Sequence, residues 1–541
     1  MCDPAMNNTL HKTIAKNNDG QLPDPPGKTA PSRRVRRRIL LAVMVAYLPI
    51  AVDLTILHIA IPSLTLALQA TGTEILWIID IYPLIMASLL VPMGTLGDRV
   101  GPRKLLLAGL TIFLAASLAA AFSPTAKALI GARAGLAVGA SMIVPSVLAA
   151  IRLTFEDWKE RAMALGIWGT VSSVGAAAGP LAGGLLLEHF WWGSVFLVNV
   201  PLVLGVLPLA AVMLPRRYSL ARKPWPLGQA LVLAAGLMAT VYAVKTGFKA
   251  GSSLLQSGMI FICGMGLLAG FIRRQITAQN PMLDLGLAKL PAIRIGLVIA
   301  LVVSGSLAGV ELTIAQELQF VIGNTPLEAG IFMLPIMVAA AVGGPLAGRL
   351  AAAVGLRKVS VLSLLTAAAS LAGLGFTSFY EAGIAVAACM AGLGLSLSIG
   401  LTASSIAIMG SVPPEKGGAA GAIESLGYDL GTGLGITAFG VLLSTLYRNA
   451  LRLPDSLRDD LPRAALESIS DTMVAAELAG GPRGESIAHA ARLAFSAAHS
   501  TVLLTASLLV ALLAAWVFHG LRHQQPKGMT GRSGTKAPHE Q

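Results

Sequence analysis

The sequence predicts an all-α polytopic membrane protein of fourteen spanning helices, and three observations carry that reading. Hydrophobic residues make up 55% of the 541 and charged ones only 12%, about half the charged share of a soluble domain. The apolar residues fall in unbroken blocks such as Ile39 to Ala60, Ile75 to Leu96 and Leu105 to Phe122. At roughly 1.5 Å per residue each block crosses the ~30 Å hydrocarbon core, and lipid leaves such a run no option but helix. The basic residues gather beside the ends of these blocks, as positive-inside topology requires.

Taken in order, the three named blocks set the first three helices near 39–62, 75–96 and 104–122. A fourth at 126–150 carries Arg133, and a fifth at 162–187 is dense in glycine. The sixth at 193–214 completes a first bundle, 39–214. Two helices at 226–245 and 254–272 form a linker region, 215–294. The remaining six, near 295–321, 327–350, 357–379, 382–411, 417–446 and 494–520, make a second bundle, 295–520, that includes a long outer loop at 447–493. That loop is near neutral, with amphipathic helices over the outer face as its expected form. Residues 1–38 read as a basic disordered tail and 521–541 as a second disordered tail. Both ends are placed on the cytoplasmic side, because Arg33, Arg34, Arg36, Arg37 and Arg38 precede the first helix.

Composition also excludes classes. The net charge of +13 comes from helix-end residues and so argues for no nucleic-acid partner. Cys2, Cys263 and Cys389 give neither a disulfide framework nor metal-ligand spacing. No phosphate-cradling glycine loop, nucleophile elbow or metal-spaced His/Cys cluster is present, so the expectation is a non-enzyme without metal or cofactor.

An internal repeat divides the chain. Gly94-Thr95-Leu96-Gly97-Asp98-Arg99-Val100-Gly101-Pro102-Arg103-Lys104 follows the second helix. Gly348-Arg349-Leu350-Ala351-Ala352-Ala353-Val354-Gly355-Leu356-Arg357-Lys358 follows the tenth. Parallel repeats with a pathway between them are a transporter signature. In the first copy Gly94 and Gly101 permit close approach and a tight turn. Asp98, Arg99, Arg103 and Lys104 can pair with acids, helix ends or lipid phosphates in a breakable contact suited to a gate. The fifth helix sets Gly166, Gly175, Gly179, Pro180, Gly183 and Gly184 in the order G-x8-G-x3-G-P-x2-G-G, which allows close helix packing with a local kink at Pro180.

These strings resemble the major facilitator superfamily. The Gly94–Lys104 segment is similar to its signature loop, and the fifth-helix pattern resembles the antiporter motif of its proton-coupled exporters. Arg133 resembles the buried arginine of that group, although Ala134 stands where other members have a polar residue. Asp53 to Pro62 is similar to the first-helix string of the fourteen-helix drug:proton antiporter branch, with His58 in place of an asparagine. Asp80 and the Gly421–Asp429 segment resemble the second and thirteenth helices of quaternary-ammonium and methyl viologen exporters, with Ser425 where relatives can have an acid. The resemblance covers about residues 39–520. It implies the major facilitator fold: two six-helix halves plus two linker helices.

A charge near the bilayer centre costs at least ~2.5–3.5 kcal/mol, so embedded acids ask for a purpose. Asp53, Asp80, Glu311, Glu424 and Asp429 are the candidates for proton coupling and cation binding, with Arg133 as the proton-antiporter arginine. Asp53 lies about 21 Å from the inner end of its helix and Asp80 about 9 Å below its outer end, depths that let both face one central cavity. Glu424 and Asp429 point about 140° apart and are expected to serve differently. His58 is either a proton relay or a satisfied core histidine, and Glu317 reads as structural. Tyr47, Trp77, Tyr82, Trp168 and Tyr428 are candidates for an aromatic pocket, since ring faces hold quaternary ammonium without hydrogen bonds. Trp191 and Trp192 read as interfacial anchors.

The expected function is a proton-coupled antiporter that exports lipophilic organic cations (quaternary ammonium antiseptics, dyes, viologens, biguanides). The alternative is proton-coupled export of one neutral or anionic compound, such as a self-made antibiotic. The implied setting is a bacterial cytoplasmic membrane, with lipophilic cations, protons and lipid as partners, the proton gradient as the drive, and a monomer as the working unit.

Overall fold

The computed structural model describes residues 32–520 except 156, 215–224, 249–252, 280, 378, 380–382, 413–416, 455–456 and 458–460. Fourteen helices among the described residues are long and apolar enough to cross a membrane. They are α1 (Arg33–Leu68), α2 (Gly72–Val100), α3 (Pro102–Ala121), α4 (Ala126–Thr154), α5 (Trp158–His189), α6 (Ser194–Met213), α7 (Leu227–Gly247) and α8 (Leu254–Thr277). The second series is α9 (Pro291–Val321), α10 (Leu334–Val354), α11 (Leu356–Phe376), α12 (Ile384–Met409), α13 (Gly417–Ala450) and α14 (Gly481–Gly520).

Local chemistry sets the ends. Thr71 caps α2, and Glu74 returns a hydrogen bond to the Thr71 backbone, closing a capping box. Ser32 caps α1. The predicted tail boundary at residue 38 is therefore corrected: Arg33 to Arg38 form the first turns of α1. Arg36 is anchored there by an ion pair of 2.5 Å to Glu160 of α5. Of the two expected disordered tails, 1–31 and 521–541 lie outside the described residues. The last helix begins at Gly481 rather than 494. Arg483 to Arg492 are helical because Ile487, Ala488 and Ala491 bury an apolar stripe. A short helix, Ile469–Ala479, packs on that extension, and another, Pro326–Phe332, leads into α10.

The repeat found in the sequence is also a repeat of geometry. Gly101 joins α2 to α3 at φ 92°, ψ 138°, and Gly355 joins α10 to α11 at φ 88°, ψ 145°. Residues with side chains are strained there, which is why glycine recurs at this step. Two residues later Arg103 donates to the Ala211 carbonyl near the end of α6 (Nε 3.1 Å, Nη2 2.5 Å). Its counterpart Arg357 donates to the Phe518 carbonyl near the end of α14 (3.0 Å). Each arginine ties its loop to the last helix of its own series.

Two large apolar clusters form the core. One is built almost wholly from α1 to α6, the other from α9 to α14. Helices α7 and α8 pack on each other, and α7 leans on α2. Contacts between the two series gather toward the Leu68–Gly72 turn. There Gln319 donates to the Ile59 carbonyl (3.1 Å), and the Gly72 N–H donates to Asp471 (3.1 Å).

Candidate cation site between the two helix series

Asp53 sits mid-way along α1 with no exposed surface. Arg133 of α4 meets it at 2.7 Å, and Asn199 of α6 donates to its other oxygen at 3.4 Å. The arginine is fixed in turn. Its Nε donates to the Ile78 carbonyl of α2 (3.0 Å), and its guanidinium lies 4.8 Å from the Tyr82 ring centroid. An isolated charge in this setting is very costly, whereas a paired and hydrogen-bonded one is tolerated.

Asp80 is equally buried and belongs to a different constellation. Lys245 of α7 approaches Oδ2 to 2.7 Å, and the Thr437 hydroxyl of α13 donates to the same oxygen at 2.5 Å. The lysine ammonium also lies 4.1 Å from the Trp77 ring centroid. The expectation that Asp53 and Asp80 face one cavity is thereby corrected. Ile78 and Tyr82 turn toward Arg133, and Asp80, two residues past Ile78, points about 200° away from it at 100° per residue. Helix α2 separates the two acids, which share a depth but not a face.

Glu424 accepts from Tyr428, one turn on, at 3.0 Å, while the same hydroxyl reaches the Leu401 carbonyl at 3.1 Å. Glu424 also accepts from Ser405. Glu311 is buried and faces His58 across the two series at 3.4 Å, so it is not the interfacial acid that its place near a helix end suggests. Helix α9 continues past it, ending in a wider turn at Glu317–Val321. Glu317 accepts from Ser496 of α14.

Asp429 stands apart. It is half-buried on α13 and has no hydrogen-bond or ion-pair partner among the described residues, yet it lies within electrostatic reach of the Tyr47 and Tyr82 phenols. Tyr47 packs on Trp168 of α5 (centroids 5.3 Å apart) and shares a hydrogen bond of 3.1 Å with Ser172. The Trp168 indole N–H and the Tyr82 hydroxyl are buried without partners among the described residues.

Of the aromatic candidates, Tyr47 and Tyr82 lie within electrostatic reach of Asp429, and Trp168 packs on Tyr47. Trp77 belongs to the lysine, and Tyr428 to Glu424. The fifth-helix glycines are packing surfaces. A Cβ on Gly175 would fall 2.6 Å from Ala51 Cβ, one on Gly179 2.9 Å from the Ile56 backbone nitrogen, and one on Gly183 2.8 Å from Ile56 Cγ1. Gly184 meets Leu327 on the short helix before α10, where Gly330 in turn abuts the Pro180 carbonyl, and Gly166 touches nothing within 4 Å. At the α2–α3 junction, Gly94 on α2 packs toward Pro145 of α4, while Asp98 and Arg99 at the end of α2 and Lys104 at the start of α3 are exposed.

Sequence reasoning missed Lys245, Asn199 and Thr437. Lys245 closes the predicted seventh helix and reads by charge alone as an end marker. Asn199 had a usable signal, because it is a lone amide in an apolar run. Thr437 had none, since threonine is common in membrane helices.

The Major Facilitator Superfamily model matches residues 43–313. The methyl viologen resistance protein SmvA of Salmonella typhimurium is 46% identical over 486 residues, covering 90% of this chain and 98% of its own. The chain is a member of the Major Facilitator Superfamily. The multidrug efflux pump LfrA of Mycolicibacterium smegmatis is 34% identical over 90% of this chain and 97% of its own. Among solved structures, a bacterial homologue of the human lysosomal transporter Spinster, inward-facing and unoccupied, superposes with a TM-score of 0.65. It is 17% identical and covers 92% of this chain and 100% of that one, a likeness that shows the fold. This superfamily member is therefore a fourteen-helix multi-pass transporter related to multidrug and methyl viologen resistance proteins.

Proposed function

We propose that the protein exports lipophilic organic cations from the cytoplasm in exchange for protons, with Asp429 as the acid that meets the substrate. The observation that carries this reading is a half-buried carboxylate on α13 with no partner among the described residues, within electrostatic reach of Tyr47 and Tyr82 on the other helix series, where Trp168 packs on Tyr47. A carboxylate supplies the charge, and ring faces bind quaternary ammonium that cannot donate a hydrogen bond. Proton and cation compete for one such group, because burial favours the protonated acid and an arriving cation favours its release. That competition couples the two fluxes.

Quaternary ammonium antiseptics, dyes, viologens and biguanides all fit this chemistry. The similarity to SmvA, a methyl viologen resistance protein, and to LfrA, a multidrug efflux pump, supports it. With both termini in the cytoplasm, the contacts at the Leu68–Gly72 end lie outside, and the site near Asp429 is reached from within. The two bundles at 39–214 and 295–520 rock about the site, and the loop Gly94–Lys104 forms part of the inner gate. The buried pair Asp53–Arg133 links proton binding on α1 to the position of α2 through the Ile78 carbonyl.

The test is ethidium accumulation in cells that lack their own exporters. Cells making the protein should accumulate less dye, a protonophore should abolish the difference, and Asp429→Asn should behave as empty vector. Equal export by Asp429→Asn would overturn the assignment.

A further inference from the structure

The Lys245 ammonium is held in an unusual way. Its side chain is 1% exposed, and its polar neighbour among the described residues is a single oxygen of Asp80 at 2.7 Å. The Trp77 ring face, 4.1 Å away, is its other support. The second carboxylate oxygen, Asp80 Oδ1, is buried without a hydrogen-bond partner among the described residues. An ammonium has three N–H donors and ordinarily uses them. Here three donors have one carboxylate oxygen and a π face, and charge and a π face are contacts that a cation with no N–H can also make.

We propose that Trp77, Asp80 and Thr437 form a second organic-cation site, separate from Asp429, and that Lys245 is a tethered cation which fills it until a substrate cation displaces it. This rests on the cation-export reading above and adds a specificity-determining residue from the linker helices. Lysine suits the role: a compact charge on a flexible four-carbon stem, movable where an arginine fork would be locked. The place for the displaced ammonium is also present. A cavity of about 40 Å³ is lined by Lys245 together with Glu467 and Asp471. Lys245 stands two residues before the end of α7, so its stem can swing toward those acids as lysines near helix ends reach for the interface. Glu467 is shared with Arg448 at 3.1 Å and Asp471 with the Gly72 N–H, so an arriving ammonium joins a network already carrying charge. Through Thr437 the same carboxylate touches α13, so occupancy of the site bears on the contact between the two helix series.

The experiment is chemical rescue of Lys245→Ala with tetramethylammonium, a cation without N–H donors, on the full-length protein in lipid nanodiscs. The truncation leaves Asp80 uncompensated and opens the volume of the stem. The variant should melt below wild type and regain the loss saturably as tetramethylammonium is added, as mass action requires of a ligand bound to the folded state. Wild type should respond only at higher concentrations, because the cation must first displace Lys245, and Asp80→Asn/Lys245→Ala should not respond. A variant recoverable only when tetramethylammonium is present during extraction counts as rescue. A variant that is indifferent to the cation, or not recovered even with it, overturns the proposal, as does rescue that persists in the double variant. Tetraphenylphosphonium binding to wild type is measured in parallel. Its absence would sink the export reading while the rescue arm still decides this one.

Discussion

The α1–α5 contact gives a prediction whose size follows from the coordinates. Gly179→Ala adds one carbon that would run into Thr55 Oγ1 and lie 2.9 Å from the Ile56 backbone nitrogen and 3.0 Å from the Val52 carbonyl oxygen. Ordinary contact begins at 3.4 Å. The threonine can rotate, but its hydroxyl donates to the Ala176 carbonyl at 2.8 Å, and losing that bond costs about 0.5–1.5 kcal/mol. The Ile56 and Val52 backbone cannot rotate away, so the helices must part by about half an ångström. Overpacking of this kind costs roughly 1–3 kcal/mol, against a gain of about 0.5–1 kcal/mol from replacing glycine in a helix. Gly166→Ala is the internal control, because nothing lies within 4 Å of its added carbon and only the helix gain remains. Melting in detergent, followed by size-exclusion fluorescence, should rank Gly166→Ala at or above wild type and Gly179→Ala below it. Equal melting of the two variants would refute the close-packing argument.

Further predictions follow the charged constellations. Asp53→Asn strands Arg133 without its counter-charge and should cost about 3–5 kcal/mol. Arg133→Gln should cost a similar amount, and the double variant less than their sum; additive losses would show that the two do not interact. Asp429→Asn, by contrast, breaks no contact, so its melting should match wild type while ethidium export is lost. A large fall in stability would reveal a structural partner. Trp168 fluorescence should be quenched by a bound viologen in wild type and not in Asp429→Asn, and quenching that survives the substitution would place the substrate elsewhere. Arg103→Ala and Arg357→Ala remove matched ties to the ends of α6 and α14 and should destabilise alike. A loss confined to one would show that the two loops differ in role.

Much of the fold was legible because membrane physics leaves a coarse signature. Unbroken apolar blocks mark the spans, and the Gly94–Lys104 and Gly348–Lys358 strings mark equivalent turns whose glycines recur at φ near 90°. The candidate site was legible in its members more than in its grouping. An acid in an apolar run announces itself by cost, and helical rise gives its depth. Rotation against neighbours is set by packing between helices far apart in sequence, so Asp53 and Asp80 were set at one depth while α2 places them on opposite sides. Lys245 was hidden for a related reason. A lysine near a helix end is ordinarily a topology marker, and nothing local says that α7 turns it inward onto α2. Arg33 to Arg38 illustrate the reverse: charge alone suggests a tail, whereas the Ser32 cap and the Arg36–Glu160 pair carry the helix beyond the apolar run.

The central claim is that a proton gradient drives organic cations through a site built on Asp429. Its most direct test is dye movement in liposomes that contain the purified protein and no other energy source than an imposed pH difference. Ethidium should move against its own gradient as protons run down theirs, and Asp429→Asn should abolish that movement at equal protein incorporation. Wild type that moves ethidium equally well without a pH difference, or an Asp429→Asn protein as active as wild type, would contradict the account.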